Sequence, residues 1–101
     1  MFALWMRRGL TESGWFTIYD GDGFVTCSAT AIQLVAVAAR ARGRGAGRRL
    51  VGGALAEFGL RGARRVTVAT QGTNLAAQRL YVGCGFQPSA CALWLHRWRD
   101  V

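Results

Sequence analysis

The stretch that decides the fold runs from Ile32 to Phe58 and reads IQLVAVAARARGRGAGRRLVGGALAEF. Its first seven residues are mostly apolar and partly β-branched, which predicts a strand that is covered on both faces. From Leu50 to Phe58, apolar residues recur at the spacing of one helical face. The ten residues between these segments, 40–49, contain five arginines and three glycines. We therefore predict a strand, a glycine-arginine loop and an amphipathic helix, in that order.

The loop and the start of the helix have the chemistry of a phosphate site. Glycines allow a tight turn and close approach of a ligand, and the first amides of a helix have no partner within it. These amides and the positive end of the helix dipole favour a dianion such as a pyrophosphate. Two familiar phosphate loops do not fit. Counting from Gly43, the last glycine of a Gly-x-Gly-x-x-Gly fingerprint falls on Arg48, and a P-loop needs a lysine, which this chain lacks.

The composition is that of a globular protein. Half of the 101 residues are hydrophobic and 18% are charged, which indicates a single domain over residues 1–101. The net charge is +8, and all 13 basic residues are arginine. A GC-rich coding sequence and surface solubility would explain part of this excess. Nucleic-acid binding is the alternative, since five arginines cluster at 40–49, although no known nucleic-acid-binding module is recognisable.

The cysteines and the apolar segments bear on the compartment. Cys27, Cys84 and Cys91 are odd in number and lack metal-ligand spacing, which predicts free thiols in a reducing compartment and no metal site. The apolar run at the N-terminus is too short for a signal peptide, and no run reaches transmembrane length. We expect a cytoplasmic protein that does not enter the membrane.

The remaining helices and strands are predicted from the spacing of hydrophobic residues and from residues typical of turns. Residues 1–13 allow a short helix or a partner-facing segment. The sequence Asp20-Gly21-Asp22-Gly23 predicts a hairpin turn. The segment 32–70 predicts a strand–helix–strand crossover with parallel strands. The other predicted elements are strands at 14–19, 24–28, 66–70 and 90–98, and a second helix at about 75–83.

A second motif, residues 74–86, reads NLAAQRLYVGCGF. Together with the hexamer of residues 42–47, RGRGAG, it resembles the GNAT family of N-acetyltransferases. That family has an acetyl-CoA loop of the pattern Arg/Gln-x-x-Gly-x-Gly/Ala and, further along, Asn, Ala, Leu-Tyr and Gly-Phe. The resemblance covers 32–98, and the segment 70–96 looks more like the TDP-fucosamine acetyltransferase branch than like the family at large.

The resemblance implies an α/β (α+β) fold with a mixed, centrally parallel sheet and helices packed on its faces. Most of the family's N-terminal strand-helix-helix part would be lacking, so a homodimer or a missing partner chain is also implied. The implied activity is transfer of an acetyl group from acetyl-CoA to the primary amine of a small molecule, such as a nucleotide-linked amino sugar.

The resemblance also implies roles for individual residues. Tyr81 matches the family tyrosine near the sulfur and is the candidate general acid, because a phenol with a pKa near 10 stays protonated at neutral pH. Backbone groups of the core strand, the loop and one residue of the second helix would hold the cosubstrate: Leu34, Val35, Val37, Arg42, Gly43, Arg44, Gly45, Ala46, Gly47, Arg48 and Asn74.

Several alternatives stay open. Tyr81 could belong only to the core, and Asn74 could be only a helix cap. The general base is not identified, since Glu12, Gln33 through a water, and His96 are all weak candidates. The whole chain could be a CoA-binding remnant without activity, or half of a larger assembly, or an arginine-rich nucleic-acid-binding protein.

Overall fold

The computed structural model describes residues 5–7, 14–70, 74–89 and 93–98. They form one seven-stranded sheet in the order β1-β2-β3-β4-β5-β7-β6. The pair β4–β5 is parallel and every other pair is antiparallel, which confirms a mixed α/β fold with a parallel centre. A short 3-10 turn, Ala39–Ala41, precedes the first helix. The elements are β1 (Trp5–Arg7), β2 (Phe16–Asp20), β3 (Gly23–Cys27), β4 (Ala31–Val37), α1 (Ala46–Leu60), β5 (Arg65–Ala69), α2 (Leu75–Gly83), β6 (Gln87–Pro88) and β7 (Leu93–Arg97).

Two elements differ from the sequence prediction. Trp5–Arg7 forms a strand that pairs with β2, where a short helix or a partner-facing segment was expected. The rest of 1–13 lies outside the described residues, as do 90–92 of the predicted last strand, with Cys91 among them. Gln87–Pro88 forms a further short strand at the edge of the sheet, a position that tolerates proline because it leaves one side of the strand unpaired.

One hydrophobic cluster joins the sheet to both helices. Along β2, β3 and β5, buried side chains alternate with more exposed ones, so the buried ones share one face of the sheet. The centre of α1 is fully buried against them, and Phe16 packs edge-on against Phe58 with ring centroids 5.0 Å apart. The cluster consists of Phe16, Ile18, Val25, Cys27, Ile32, Leu50, Val51, Ala54, Phe58, Val66, Val68, Tyr81 and Phe86.

The strands β4 and β5 pair only at one end. Ala31 lies opposite Thr67 and Ile32 opposite Val68, and beyond Ile32 the rest of β4 has no partner in β5. On its other side β4 pairs along its length with β3, with a register shift where Cys27 meets Ile32 and Thr26 meets Leu34. The extra residue, Gln33, is a β-bulge, which bends a strand and increases its twist. A notch, bordered by residues 33–37, therefore opens between β4 and β5.

No helix in the described part of the chain is long and apolar enough to cross a membrane.

Candidate functional site

The loop before α1 has the backbone conformation that its glycines allow. Gly43 and Gly45 have φ values of 76° and 81°, in the left-handed region that other residues rarely adopt. A Cβ atom at either position would meet nothing within 4 Å. These two glycines are therefore required by the turn of the chain rather than by crowding, and the space in front of them is open.

The amides of this loop are available to a ligand. Within the described residues, the N–H groups of residues 43–48 donate no hydrogen bond, and the first helical bond runs from the Arg49 N–H to the Gly45 carbonyl at 3.0 Å. Consecutive donors at the positive end of a fifteen-residue helix are suited to binding an anion. The pyrophosphate site at this loop stays a prediction.

The loop, the core strand and the second helix meet at Gly47. A Cβ atom there would lie 3.2 Å from Leu80 Cδ2 and 3.8 Å from Val37 Cγ2. Gly47 thus allows α1 to approach α2 closely at the end of β4. The two sequence motifs, which are separated by more than twenty-five residues, converge at this point beside the notch.

The three residues of β4 that were predicted to bind the cosubstrate differ in how far their side chains are buried. Val35 and Val37 pack against the core, whereas Leu34 is 53% exposed. Within the described structure, the edge of β4 that faces β5 is unpaired from Gln33 onward. Backbone donors and acceptors along this edge are therefore open to an extended ligand lying in the notch, in the manner of an added strand.

Asn74 is the N-cap of α2. Its side-chain oxygen accepts a hydrogen bond from the Ala77 N–H at 3.1 Å. Capping thus employs the oxygen of the side chain. The side-chain NH₂ donates to no other described residue, so the same residue could both cap the helix and contact a ligand.

Tyr81 is held by the way in which α2 ends. The Phe86 N–H donates to the Tyr81 carbonyl at 2.9 Å, and the Gly85 N–H donates to the Val82 carbonyl at 3.0 Å. With Gly85 at φ 94°, this is a Schellman motif. The Phe86 ring then packs edge-on against Tyr81 at 5.6 Å between centroids. The Leu-Tyr and Gly-Phe parts of the second sequence motif are therefore one structural unit.

The surroundings of Tyr81 keep its hydroxyl protonated. The residue is only 6% exposed. Burial raises the pKa of its phenol above the usual value of 10.0, and the nearby Cys84 adds to this rise. A protonated phenol is the form that a general acid needs.

The arginines of the loop point in different directions. Arg42 and Arg44 are exposed. The Arg48 guanidinium lies beside the end of α2, where a Cβ atom at Gly83 would be 3.2 Å from Arg48 Cζ. The side chain of Arg48 thus offsets the negative end of the α2 dipole, while its amide is among the unpaired amides of residues 43–48.

Of the candidate bases, Gln33 and His96 lie among the described residues, and neither is placed for proton abstraction. Glu12 lies outside the described residues, and Gln33 Nε2 donates to Ser28 Oγ at 3.2 Å. His96 packs between the Phe86 and Trp98 rings, and its Nδ1 is buried without a hydrogen-bond partner in the described part of the chain. Burial lowers the pKa of His96, so its ring is neutral near pH 7.

Sequence reasoning missed an ion-pair cluster beside the loop. Arg49 Nε donates to Asp20 Oδ2 at 3.0 Å and Arg49 Nη2 donates to Asp22 Oδ2 at 2.8 Å. Burial alone would raise the pKa of Asp20. Hydrogen bonds from the Asp22 N–H and from Arg49, with the charge of Arg49, outweigh burial and lower it. The Asp-Gly-Asp-Gly turn was the only sequence signal, and it did not indicate the partner.

Comparison with known proteins identifies the family. Residues 12–86 match the sequence model of the acetyltransferase (GNAT) family, and the chain belongs to this family. No protein with a curated function matched the sequence.

Solved structures share the fold. The IAA acetyltransferase from Bacillus cereus superposes with a TM-score of 0.73 at 18% identity, over 83% of this chain and 78% of that one. A candidate streptothricin acetyltransferase from Bacillus anthracis, in complex with acetyl coenzyme A, superposes with a TM-score of 0.74 at 18% identity, over 84% of this chain and 63% of that one. A Bacillus subtilis acetyltransferase in complex with CoA superposes with a TM-score of 0.72 at 19% identity, over 84% of this chain and 76% of that one. The chain thus spans about two thirds to three quarters of their lengths.

Proposed function

We propose that this protein is an acetyl-CoA-dependent N-acetyltransferase that acts on the primary amine of a small molecule. One observation carries the proposal: the free amides of residues 43–48 lie at the end of a strand whose edge is open toward β5. The cosubstrate acetyl-CoA is supported by the family membership and by the relatives bound to acetyl-CoA and CoA.

The chain offers separate groups for the two parts of the cosubstrate. The amides of residues 44–48 would hold the pyrophosphate, with the exposed guanidiniums of Arg42 and Arg44 adding positive field. The backbone of Leu34, Val35 and Val37 would pair with the pantetheine arm in the notch. Together these contacts would fix the thioester relative to α2, and such positioning is a large part of catalysis for a two-substrate reaction.

Tyr81 is the proposed general acid. Acetyl-CoA supplies an activated acetyl group in thioester linkage. As the amine nitrogen bonds to the carbonyl carbon and the carbon–sulfur bond breaks, Tyr81 would donate its hydroxyl proton to the departing sulfur. An amide N–H at the edge of β4 would polarise the carbonyl oxygen. The amine must lose a proton, and the sequence and structure leave the group that accepts it unassigned.

The acceptor and the compartment extend the proposal. Nucleotide-linked amino sugars are the first acceptors to try, because the segment 70–96 resembles the TDP-fucosamine acetyltransferase branch. The free thiols of Cys27 and Cys84 support a reducing compartment such as the cytoplasm.

The test is an acetylation assay on the purified chain. Release of free CoA thiol would be measured with acetyl-CoA and a panel of primary amines that includes nucleotide-linked amino sugars, aminoglycosides and polyamines. We expect turnover with at least one amine and a product heavier by one acetyl group. Binding of acetyl-CoA without turnover on any amine would favour a CoA-binding remnant. Binding of nucleic acid with steep salt dependence and no binding of CoA would favour the nucleic-acid alternative.

A further inference from the structure

The two faces of the sheet differ in what covers them. The core residues of α1 and α2 belong to one cluster with the buried side chains of the strands, so both helices lie on the same face. The other face, called the open face below, is covered by no helix in the described part of the chain. Side chains alternate along each strand, which places on the open face Phe24, Leu34, Arg65, Thr67, Leu93, Leu95 and Arg97.

The notch between β4 and β5 is accessible from the open face. On the helix face, α1 and α2 meet over the end of β4, where a Cβ atom at Gly47 would lie 3.2 Å from Leu80 Cδ2. On the open face, Leu34 borders the notch, and Leu93 lies opposite Ala69 at the end of β5; the two leucines are 53% and 41% exposed. A second substrate can therefore approach a thioester in the notch from the open face, past apolar side chains.

Two arginines lie directly opposite each other on the open face. Arg65 pairs with Arg97 across the β5–β7 ladder, and both side chains are exposed. Neither forms an ion pair or a side-chain hydrogen bond with another described residue. Like charges directly opposite in a sheet repel each other. An anion between them would remove this repulsion and accept charge-assisted hydrogen bonds from both guanidiniums.

The acidic side chains in the described part of the chain lie elsewhere. Asp20 and Asp22 bind Arg49 of α1, and Glu57 belongs to α1 itself. The described side chains of the open face therefore carry positive charge only. This face favours a substrate with an anionic group and repels a polycation.

The spacing along β5 determines the shape of such a substrate. Ala69 lies one residue beyond the last pair of β4 with β5, and Arg65 precedes it by four residues, which is about 13 Å at the rise of a strand. Thr67 and Leu95 lie between the arginines and the notch and are uncharged. A substrate that spans this distance has an uncharged middle part.

We infer that the acceptor amine carries an anionic group, which Arg65 and Arg97 bind roughly 10 Å from the reacting nitrogen. This inference rests on the proposed function and narrows its substrate class. A nucleotide-linked amino sugar has the required chemistry in its diphosphate. Aminoglycosides and polyamines, which are polycations, do not have it.

The test compares two acceptors that differ only in charge, 6-aminohexyl phosphate and 6-amino-1-hexanol. Release of CoA thiol is measured at saturating acetyl-CoA, which keeps the loop at the start of α1 occupied. With the unsubstituted chain we expect kcat/KM to be about 10- to 100-fold higher for the phosphate, the range for hydrogen bonds to charged groups.

Variants assign this preference to the arginine pair. In Arg65→Ala and in Arg97→Ala, the preference should fall by about tenfold, while kcat/KM for the alcohol is retained. Arg65→Lys keeps the charge and should keep part of the preference. Arg79→Ala, which removes the same charge from an exposed position of α2, should keep all of it. Each arginine-to-alanine variant should melt no lower than the unsubstituted chain, because loss of one arginine relieves a like-charge pair.

The outcomes separate this inference from the proposed function. Equal kcat/KM for the two acceptors, or turnover of other amines but of neither probe, would overturn the anion site and leave the proposed function standing. An equal loss for both acceptors in Arg65→Ala and Arg97→Ala would also overturn it, because the arginines would then act on the fold or on the cosubstrate. Turnover of no amine by a folded chain would overturn both proposals.

Discussion

The two ends of the site are built in contrasting ways. At the start of α1, residues 42–45 are exposed, the amides of residues 43–45 are unpaired within the described structure, and the two left-handed glycines have open space around them. At the end of α2, Tyr81 and Phe86 are buried, and the hydrogen bonds of a Schellman motif join them.

This difference separates binding from stability. The loop contributes few packing contacts, so substitutions there should alter ligand affinity while the free energy of unfolding changes little. The end of α2 lies in the core, so most substitutions there should alter stability and activity together. Tyr81 is the exception, because its hydroxyl can be removed while its ring stays packed.

The largest expected effect is on turnover in Tyr81→Phe. Loss of a general acid lowers the rate by about 100- to 10,000-fold. We expect kcat to fall in this range, with the affinity for acetyl-CoA close to that of the unsubstituted protein. Tyr19→Phe, which removes a hydroxyl from a strand of the sheet, is the matched control and should keep full activity. An unchanged kcat in Tyr81→Phe would contradict the acid role.

The next effect is on stability in Phe86→Ala. Removing a buried aromatic ring costs about 3–5 kcal/mol, and this ring packs on both Tyr81 and His96. Urea unfolding should show a loss of this size. Phe24→Ala, at an exposed position of β3, should cost much less. Equal losses in the two variants would contradict the view that the Gly-Phe motif supports the core under Tyr81.

Asn74 tests whether a cap also contacts the ligand. Asn74→Ala should cost about 1 kcal/mol of stability, because the Ala77 N–H loses its acceptor. Asn74→Ser should restore most of that stability. If the side-chain NH₂ holds the cosubstrate, both variants should bind acetyl-CoA more weakly in calorimetry. Full affinity in Asn74→Ser would mean that the residue is only a cap.

The smallest effect is a pH dependence from His96. Burial lowers the pKa of the folded ring below the usual 6.5, so below that pH the unfolded chain binds a proton that the folded chain does not. The free energy of unfolding is therefore not reduced by protonation of His96 above about pH 6.5, and it declines as the pH falls toward the pKa of the folded ring. Urea unfolding at pH 7.5 and 5.5 should show the decline, and His96→Gln should reduce it. An equal decline in that variant would assign it to other groups.

Features that depend on local pattern were predictable from the sequence. The helices α1 and α2 and the strands β2 to β5 follow from hydrophobic period and from turn glycines, which act over a few residues. The loop before α1 was predictable for the same reason, because the first backbone amides of any helix lack partners within that helix.

Features that depend on distant contacts were not predictable. Asp20 and Asp22 reach Arg49 across more than twenty-five residues, and nothing in the turn sequence specifies that partner. The pairing of Trp5–Arg7 with β2 depends on an available sheet edge. The side chain of Arg48 lies at the end of α2 because Gly83 leaves room for it, a contact between the two motifs.

The central claim is that the loop at the start of α1 binds the pyrophosphate of acetyl-CoA. A thermal melt with and without acetyl-CoA tests it most directly, in the unsubstituted chain and in Gly45→Glu. At 100 times the Kd, linkage stabilises a protein by about 2.7 kcal/mol, which is roughly 10 °C or more for a domain of this size.

We predict this rise in Tm for the unsubstituted chain and none for Gly45→Glu, whose carboxylate would lie beside the loop amides. Gly52→Glu, on the exposed side of α1 with open space around it, should keep the rise. The same rise in folded Gly45→Glu, or no rise in the folded unsubstituted chain, would contradict the account.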